Sequence, residues 1–221
     1  MSDITQIGVR ENMNQMYRWI RYVYDITRKY YLFGRDDLIK SLEAKRGQKI
    51  CEVGCGTARN LIKLKKKYPH SYFYGIDISD EMLKTAKKSI KKSKLENAIN
   101  IAQANADDFD LKTLFHLEKP YMDKVIFSYA LSIIPTWRTC IDHALDILEI
   151  GGEVHIVDFA SSMSHPLPIR KFMRSSLKMF HVYFKTGIEA YLQDLEREGK
   201  GILIPISLNS SRANYSIFRK I

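Results

Sequence analysis

Several things are scarce in this sequence, and each scarcity excludes something. Its 221 residues hold only 3 cysteines, Cys51, Cys55 and Cys140, an odd set without a C-x-x-C pair. That excludes a disulfide framework and implies free thiols in a reducing compartment. No spacing of His, Cys, Asp and Glu resembles a metal site, so no metal is expected. The longest strongly apolar run, KVIFSYALSII from Lys124, is about half of the roughly 20 residues a membrane-spanning helix requires. The opening MSDITQIGVR lacks the charged start and apolar stretch of a secretory signal. The expected location is therefore the cytoplasm, with peripheral contact to the inner face of a membrane. Repeats, low-complexity tracts and linkers are absent, which favours one domain.

Acidic residues are also in short supply. Lys and Arg number 35 against 25 Asp and Glu, leaving a net charge of +10. Such an excess favours an anionic partner or serves solubility alone. Much of it sits in KLKKK (63–67) and KTAKKSIKKSK (84–94), where aromatics are nearly absent. Base stacking therefore has no platform there, and nucleic acid is not an expected partner.

What is present is alternation. Residues 11–31 carry Met13, Met16, Tyr17, Ile20, Val23, Tyr24 and Thr27 at helical steps, and a short helix is expected after Gly34. Strand KICEV (49–53) leads to a helix over 57–67, strand 72–77 to a helix over 80–92, and strand 98–104 to a short helix over 110–117. Strand 123–129 leads to a helix over 136–149 and then to strand 152–159. This order predicts a parallel sheet covered on both faces. After a helix over 188–198, the runs 201–208 and 214–221 are joined by a loop too short for a parallel return, so they must pair antiparallel.

Ligands of such sheets bind beyond the carboxyl ends of the strands. There the first strand runs into Gly54, Gly56 and Ala58 (EVGCGTA), small residues that let backbone approach a ligand closely. A dinucleotide fingerprint would need a third glycine where Arg59 stands. The stretch CEVGCGTA instead resembles the first motif of the class I methyltransferases that use S-adenosylmethionine, with Ala58 in place of the last glycine. The resemblance implies a Rossmann-like α/β fold with a seven-stranded, mostly parallel sheet, a terminal antiparallel strand and helices on both faces. It implies donor contacts from Glu52, Gly54, Cys55, Gly56 and Ala58, and from Asp77, whose carboxylate ends the second strand and suits a ribose diol. Ile78 and Met82 beyond it, Asn105, Ala106 and Asp107 after the third strand, and Ser128 and Tyr129 at the end of the fourth complete the implied pocket. LEIGGEVHIVDF resembles the family's entry to the fifth strand.

Residues 16–39, MYRWIRYVYDITRKYYLFGRDDLI, resemble the diacylglycerylhomoserine N-methyltransferases of betaine-lipid synthesis, the BtaB family, as do SYALSIIPTW (128–137) and FHV (180–182). The resemblance implies trimethylation of the amino group of a lipid-linked homoserine, with the homoserine-lipid synthase as a possible partner. A quaternary ammonium product suits aromatic faces, which makes Tyr24, Tyr31 and Tyr129 candidate catalytic residues, with Tyr17, Tyr30 and Phe33 beside them. Arg28 and Arg35 could pair with a carboxylate, and His181 could face the head group. Aromatics at helical spacing also serve as plain core, and the arginines also serve as surface charges. Apolar Ile169, Phe172, Met173, Leu177 and Phe180 share one helical face among basic residues, the pattern of a helix resting on an anionic bilayer. The expected organisation is a helical lid (1–46), a donor-binding core (47–160), a substrate-side insertion (161–200) and a terminal hairpin (201–221). Two alternatives stay open: a methyltransferase for a quinone or another small amine, and a donor-binding scaffold without turnover.

Overall fold

The computed structural model describes residues 33–160, 187–208 and 213–221. A short helix α1 (Arg35–Ser41) precedes the alternating core: β1 (Lys49–Val53), α2 (Arg59–Lys67), β2 (Tyr72–Asp77), α3 (Asp80–Lys92), β3 (Ile99–Gln103), α4 (Leu111–Phe115), β4 (Met122–Ser128), α5 (Trp137–Asp146) and β5 (Leu148–Phe159). The chain then gives α6 (Ile188–Arg197), β6 (Gly201–Ile206) and β7 (Ala213–Lys220). The seven strands form one sheet in the order β3-β2-β1-β4-β5-β7-β6. Strands β1 to β5 run parallel, and β7 lies antiparallel between β5 and β6.

Strand periodicity distributes the apolar side chains to two faces. In β1, Ile50 joins Leu38 of α1 and Leu42 just beyond it, Leu61 and Leu64 of α2, and Leu83, Ala86 and Ile90 of α3. Its neighbours Cys51 and Val53 join Trp137, Cys140, Ile141 and Leu145 of α5 and Leu192 and Leu195 of α6 on the other. With both faces covered, central strands read as nearly unbroken apolar runs. Leu61 and Leu64 are fully buried, each worth about 2 kcal/mol of apolar burial. All three cysteines are buried thiols; burial pushes Cys140 up to about 12, which keeps it neutral. Among the described residues no helix is long and apolar enough to cross a membrane.

One element departs from the expectation. The helix predicted over 136–149 ends at Asp146, and β5 begins at Leu148, ahead of the glycine pair. Leu148 falls in helical step with Ala144 and Leu145, so periodicity alone extends the helix. The strand instead pairs Leu148 with Met122 and shifts register before Lys124 meets Glu153. Gly151 takes φ 79°, and a Cβ on Gly152 would lie 2.8 Å from the Glu149 carbonyl oxygen. The two glycines form an irregularity inside the strand and do not mark its start.

Below the carboxyl edge, β4, β5 and β7 enclose a charged cluster. Glu153 accepts from Lys124, from Arg219 Nη2 at 2.8 Å and from His155 Nε2 at 3.1 Å. Because the ionised Glu153 can only accept, the neutral His155 ring carries its proton on Nε2, and Nδ1 accepts from the Tyr215 hydroxyl at 2.8 Å. The hydrogen bond from His155, helped by Lys124 and Arg219, holds the Glu153 carboxyl well below the usual range against its burial. Burial lowers the affinity of His155 for a second proton. The unfolded chain takes up that proton near pH 6.5 and the folded chain resists it, so His155 costs stability as pH falls through that range. Glu153 stays ionised throughout this window. In thermal melts from pH 8 to 5, the wild type should lose stability relative to His155→Gln below about pH 6.5; a constant difference between the two curves would refute this.

Candidate donor-binding site

The carboxyl edge of the sheet is built around the turn after β1. Gly54, Gly56 and Ala58 all take left-handed backbone, at φ 74°, 54° and 62°. The Gly54 and Cys55 amides both donate to the Ile76 carbonyl at 2.9 Å, which binds the turn to β2. A Cβ on Gly54 would lie 2.9 Å from Ala130 Cβ, so glycine is required where this turn meets the one after β4. Ala58 tolerates its conformation for a different reason. Left-handed backbone costs an alanine about 1 kcal/mol, and its methyl is completely buried, which returns about 0.8 kcal/mol. Helix α2 starts just beyond, with no side chain capping its first turn, so its leading amides face the turn unpaired by a cap.

Two carboxylates shape this turn from below and beside. Glu52 is buried, and its Oε1 accepts from Asn60 Nδ2 at 2.8 Å, joining the end of β1 to α2. Asp77 accepts from the Gly56 amide at 2.8 Å through Oδ2 and from the Ser79 amide at 2.9 Å through Oδ1. One bond to each oxygen fixes the plane of the carboxylate. Ser79 in turn caps α3 by accepting from the Met82 amide, which assigns Met82 a place in the first turn of that helix. The Ile78 carbonyl accepts from Gln103 Nε2 at 3.0 Å. Cys55 contributes backbone: its Cβ and Sγ would each lie 3.0 Å from a Cβ on Gly75. Burial first, and then the charge of Asp77, raise the Cys55 thiol well above its ordinary value.

Beyond β3, Asn105, Ala106 and Asp107 are half-buried, and Asp107 accepts from the Thr136 hydroxyl at 2.6 Å. At the end of β4, Ser128 Oγ is buried without a hydrogen-bond partner, an arrangement that costs free energy unless a ligand supplies one. These residues fit an adenosyl donor: close backbone approach at Gly54 and Gly56, an acceptor for a ribose diol in Asp77, polar groups at Asn105 and Asp107, and an unspent hydroxyl at Ser128.

Tyr129, just beyond β4, is held by its hydroxyl and its ring. It too is left-handed, at φ 59°, a strained state for a bulky residue. Its buried hydroxyl donates to the Phe33 carbonyl at 2.7 Å, and its ring meets Phe159 edge-on at 4.7 Å. Burial, then the charge of Asp158, raise its pKa, while Arg35 opposes them. The hydroxyl is thus neutral and committed to tethering Phe33. Arg35 is buried in the first turn of α1. Of the other acceptor-side candidates, Tyr17, Tyr24, Arg28, Tyr30, Tyr31 and His181 lie outside the described residues, as does the amphipathic stretch 165–184.

Asn60, Ser79 and Gly75 were not singled out from sequence. Gly75 carried a readable signal, since a glycine inside a strand marks close approach; a Cβ there would meet Leu61 Cδ1 at 2.5 Å. Asn60 and Ser79 carried none beyond ordinary helix-start chemistry.

Comparison with known proteins adds to this geometry. Residues 44–200 match a family described as a methyltransferase domain. Demethylmenaquinone methyltransferases of Listeria welshimeri and of a Geobacillus strain are similar in sequence. The first is 23% identical over 207 residues, covering 87% of this chain and 83% of the relative; the second is 25% identical over 183 residues, covering 80% and 74%. Among solved structures, magnesium protoporphyrin IX methyltransferase from Synechocystis PCC 6803 with bound S-adenosylhomocysteine superposes with a TM-score of 0.69. It is 18% identical, with 97% of this chain and 99% of that one covered. A SAM-dependent methyltransferase from Aquifex aeolicus gives 0.67 at 15% identity, covering 92% and 98%.

Each hydrogen bond to a charged group is worth about 1.5 to 3 kcal/mol. Replacing Asp77 by Ala should therefore weaken S-adenosylmethionine binding by about 100-fold or more in calorimetric titration. Affinity within threefold of wild type would remove Asp77 from the site.

Proposed function

This chain belongs to the methyltransferase-domain family, and from that premise we propose that it methylates the amino group of diacylglycerylhomoserine to give the trimethylated betaine lipid. S-adenosylmethionine is the donor, supplying a methyl carbon made electrophilic by its sulfonium. The amine lone pair attacks that carbon, the N–C bond forms as the C–S bond breaks, and S-adenosylhomocysteine leaves. A proton passes from nitrogen to solvent before each further round. An α-amino group titrates near pH 8, so a useful fraction is neutral and no strong base is needed. Alignment carries more of the rate, about 7 to 11 kcal/mol when both reactants are held in attack geometry.

The observation that carries this reading is the Tyr129–Phe33 hydrogen bond. Phe33 belongs to the stretch 16–39 that resembles the homoserine-lipid enzymes, and its carbonyl is tied to the residue following β4 beside the donor turn. This supports an acceptor-side role for the stretch. The buried thiols are high in pKa, and no nucleophilic intermediate on the protein is called for.

A second reading, ring methylation of a quinone, is favoured by the names of the demethylmenaquinone methyltransferases above. The two separate in one assay. Purified protein with methyl-labelled S-adenosylmethionine is offered diacylglycerylhomoserine or demethylmenaquinol in mixed micelles. Label should enter the homoserine lipid and accumulate as a species bearing three added methyl groups; label confined to the quinol would transfer the conclusion to the second reading.

A further inference from the structure

The donor site makes no use of the buried charge at Asp158. Asp158 stands one residue before the end of β5 and is only 4% exposed. Its Oδ2 accepts from the Ser132 amide at 3.0 Å and its Oδ1 from the Phe159 amide at 2.8 Å. Those amides satisfy hydrogen bonding but bring no net charge, and among the described residues no cation is ion-paired with this carboxylate. A serine, threonine or asparagine could hold a backbone amide there without the cost of burying a charge. Burial raises the Asp158 carboxyl to about 6, which still leaves it mostly ionised at neutral pH. Among the described residues, the titratable and charged neighbours in this corner are Tyr129 beyond β4, which feels both Asp158 and Arg35, and Arg35 itself on α1.

Position separates this charge from the donor. The turn after β1 and Asp77 at the end of β2 lie on one side of β4, whereas Asp158 lies on the other, on the neighbouring strand. We propose that Asp158 is a specificity-determining residue whose charge attracts a cationic methyl acceptor over the carboxyl ends of β4 and β5. This rests on the amine reading above and deepens it. An ammonium loses its N–H groups as methyls are added and ends with none, so hydrogen-bond acceptors lose their hold on it round by round. A fixed negative charge keeps its attraction through every round, and it gives a neutral quinol no advantage.

The test compares wild type, Asp158→Asn and Asp158→Glu. With diacylglycerylhomoserine in mixed micelles, Asp158→Asn should raise KM for the lipid at least tenfold, and Asp158→Glu should recover most of the loss. Affinities for S-adenosylmethionine and S-adenosylhomocysteine should stay within twofold. Tetramethylammonium chloride should compete with the lipid in wild type and at least tenfold more weakly in Asp158→Asn. An unchanged KM would overturn the proposal. So would equal weakening of both nucleosides, which would mean that Asp158 only anchors the Ser132 turn, or selective weakening of S-adenosylmethionine, which would assign the charge to the donor sulfonium. If wild type methylates quinol and no amine, the preceding reading falls. The tetramethylammonium arm then decides alone: inhibition of quinol methylation that depends on Asp158 supports a cation site, and its absence overturns one.

Discussion

The pair of hydrogen bonds from the Gly56 and Ser79 amides to the Asp77 carboxylate is the constraint on which this molecule's chemistry depends. One carboxylate joins the turn after β1 to the start of α3, so two loops that could move separately share an anchor. Hydrogen bonds to an ionised acceptor are shorter and stronger than neutral ones. The shape of the cradle is thereby tied to a single side chain at the end of β2.

Close contact reinforces that anchor. Gly75 brings β2 against Cys55 and Leu61, and Gly54 brings the β1 turn against Ala130. The turn after β4 is thereby surrounded: Ala130 faces the donor turn, the Tyr129 hydroxyl holds Phe33, and the Ser132 amide is held by Asp158. The left-handed backbone at Tyr129 costs about 1 to 3 kcal/mol and persists because these contacts over-determine it. The β1 turn, Phe33 and the end of β5 meet at this turn, so a change at any of them is felt through packed atoms.

Much of this was legible in the residues. The strands could be placed because both faces of the sheet are buried and their runs are apolar. The glycine turn was legible as small residues following an apolar strand, and Asp77 was singled out through the resemblance to class I methyltransferases. The antiparallel ending followed from a short connection. The end of α5 was misread because Leu148 keeps helical step although the glycine pair belongs inside a strand. The partners of Glu52 and Asp158 were not legible, since Asn60 and Ser132 reach them only through the fold. Tyr129 was read by its aromatic character, whereas the fold uses its hydroxyl on a carbonyl 96 positions away in sequence. The motif closest to the lipid-modifying enzymes lies mostly before Phe33, beyond what the geometry describes.

The most direct test of the central claim, that the turn after β1 is the donor cradle, is a titration of S-adenosylmethionine into Gly54→Ala, alone and combined with Ala130→Gly. The added methyl would sit 2.9 Å from Ala130 Cβ, so affinity should fall at least tenfold in the single variant and recover in part when Ala130 is trimmed. Wild-type affinity in Gly54→Ala would contradict the account.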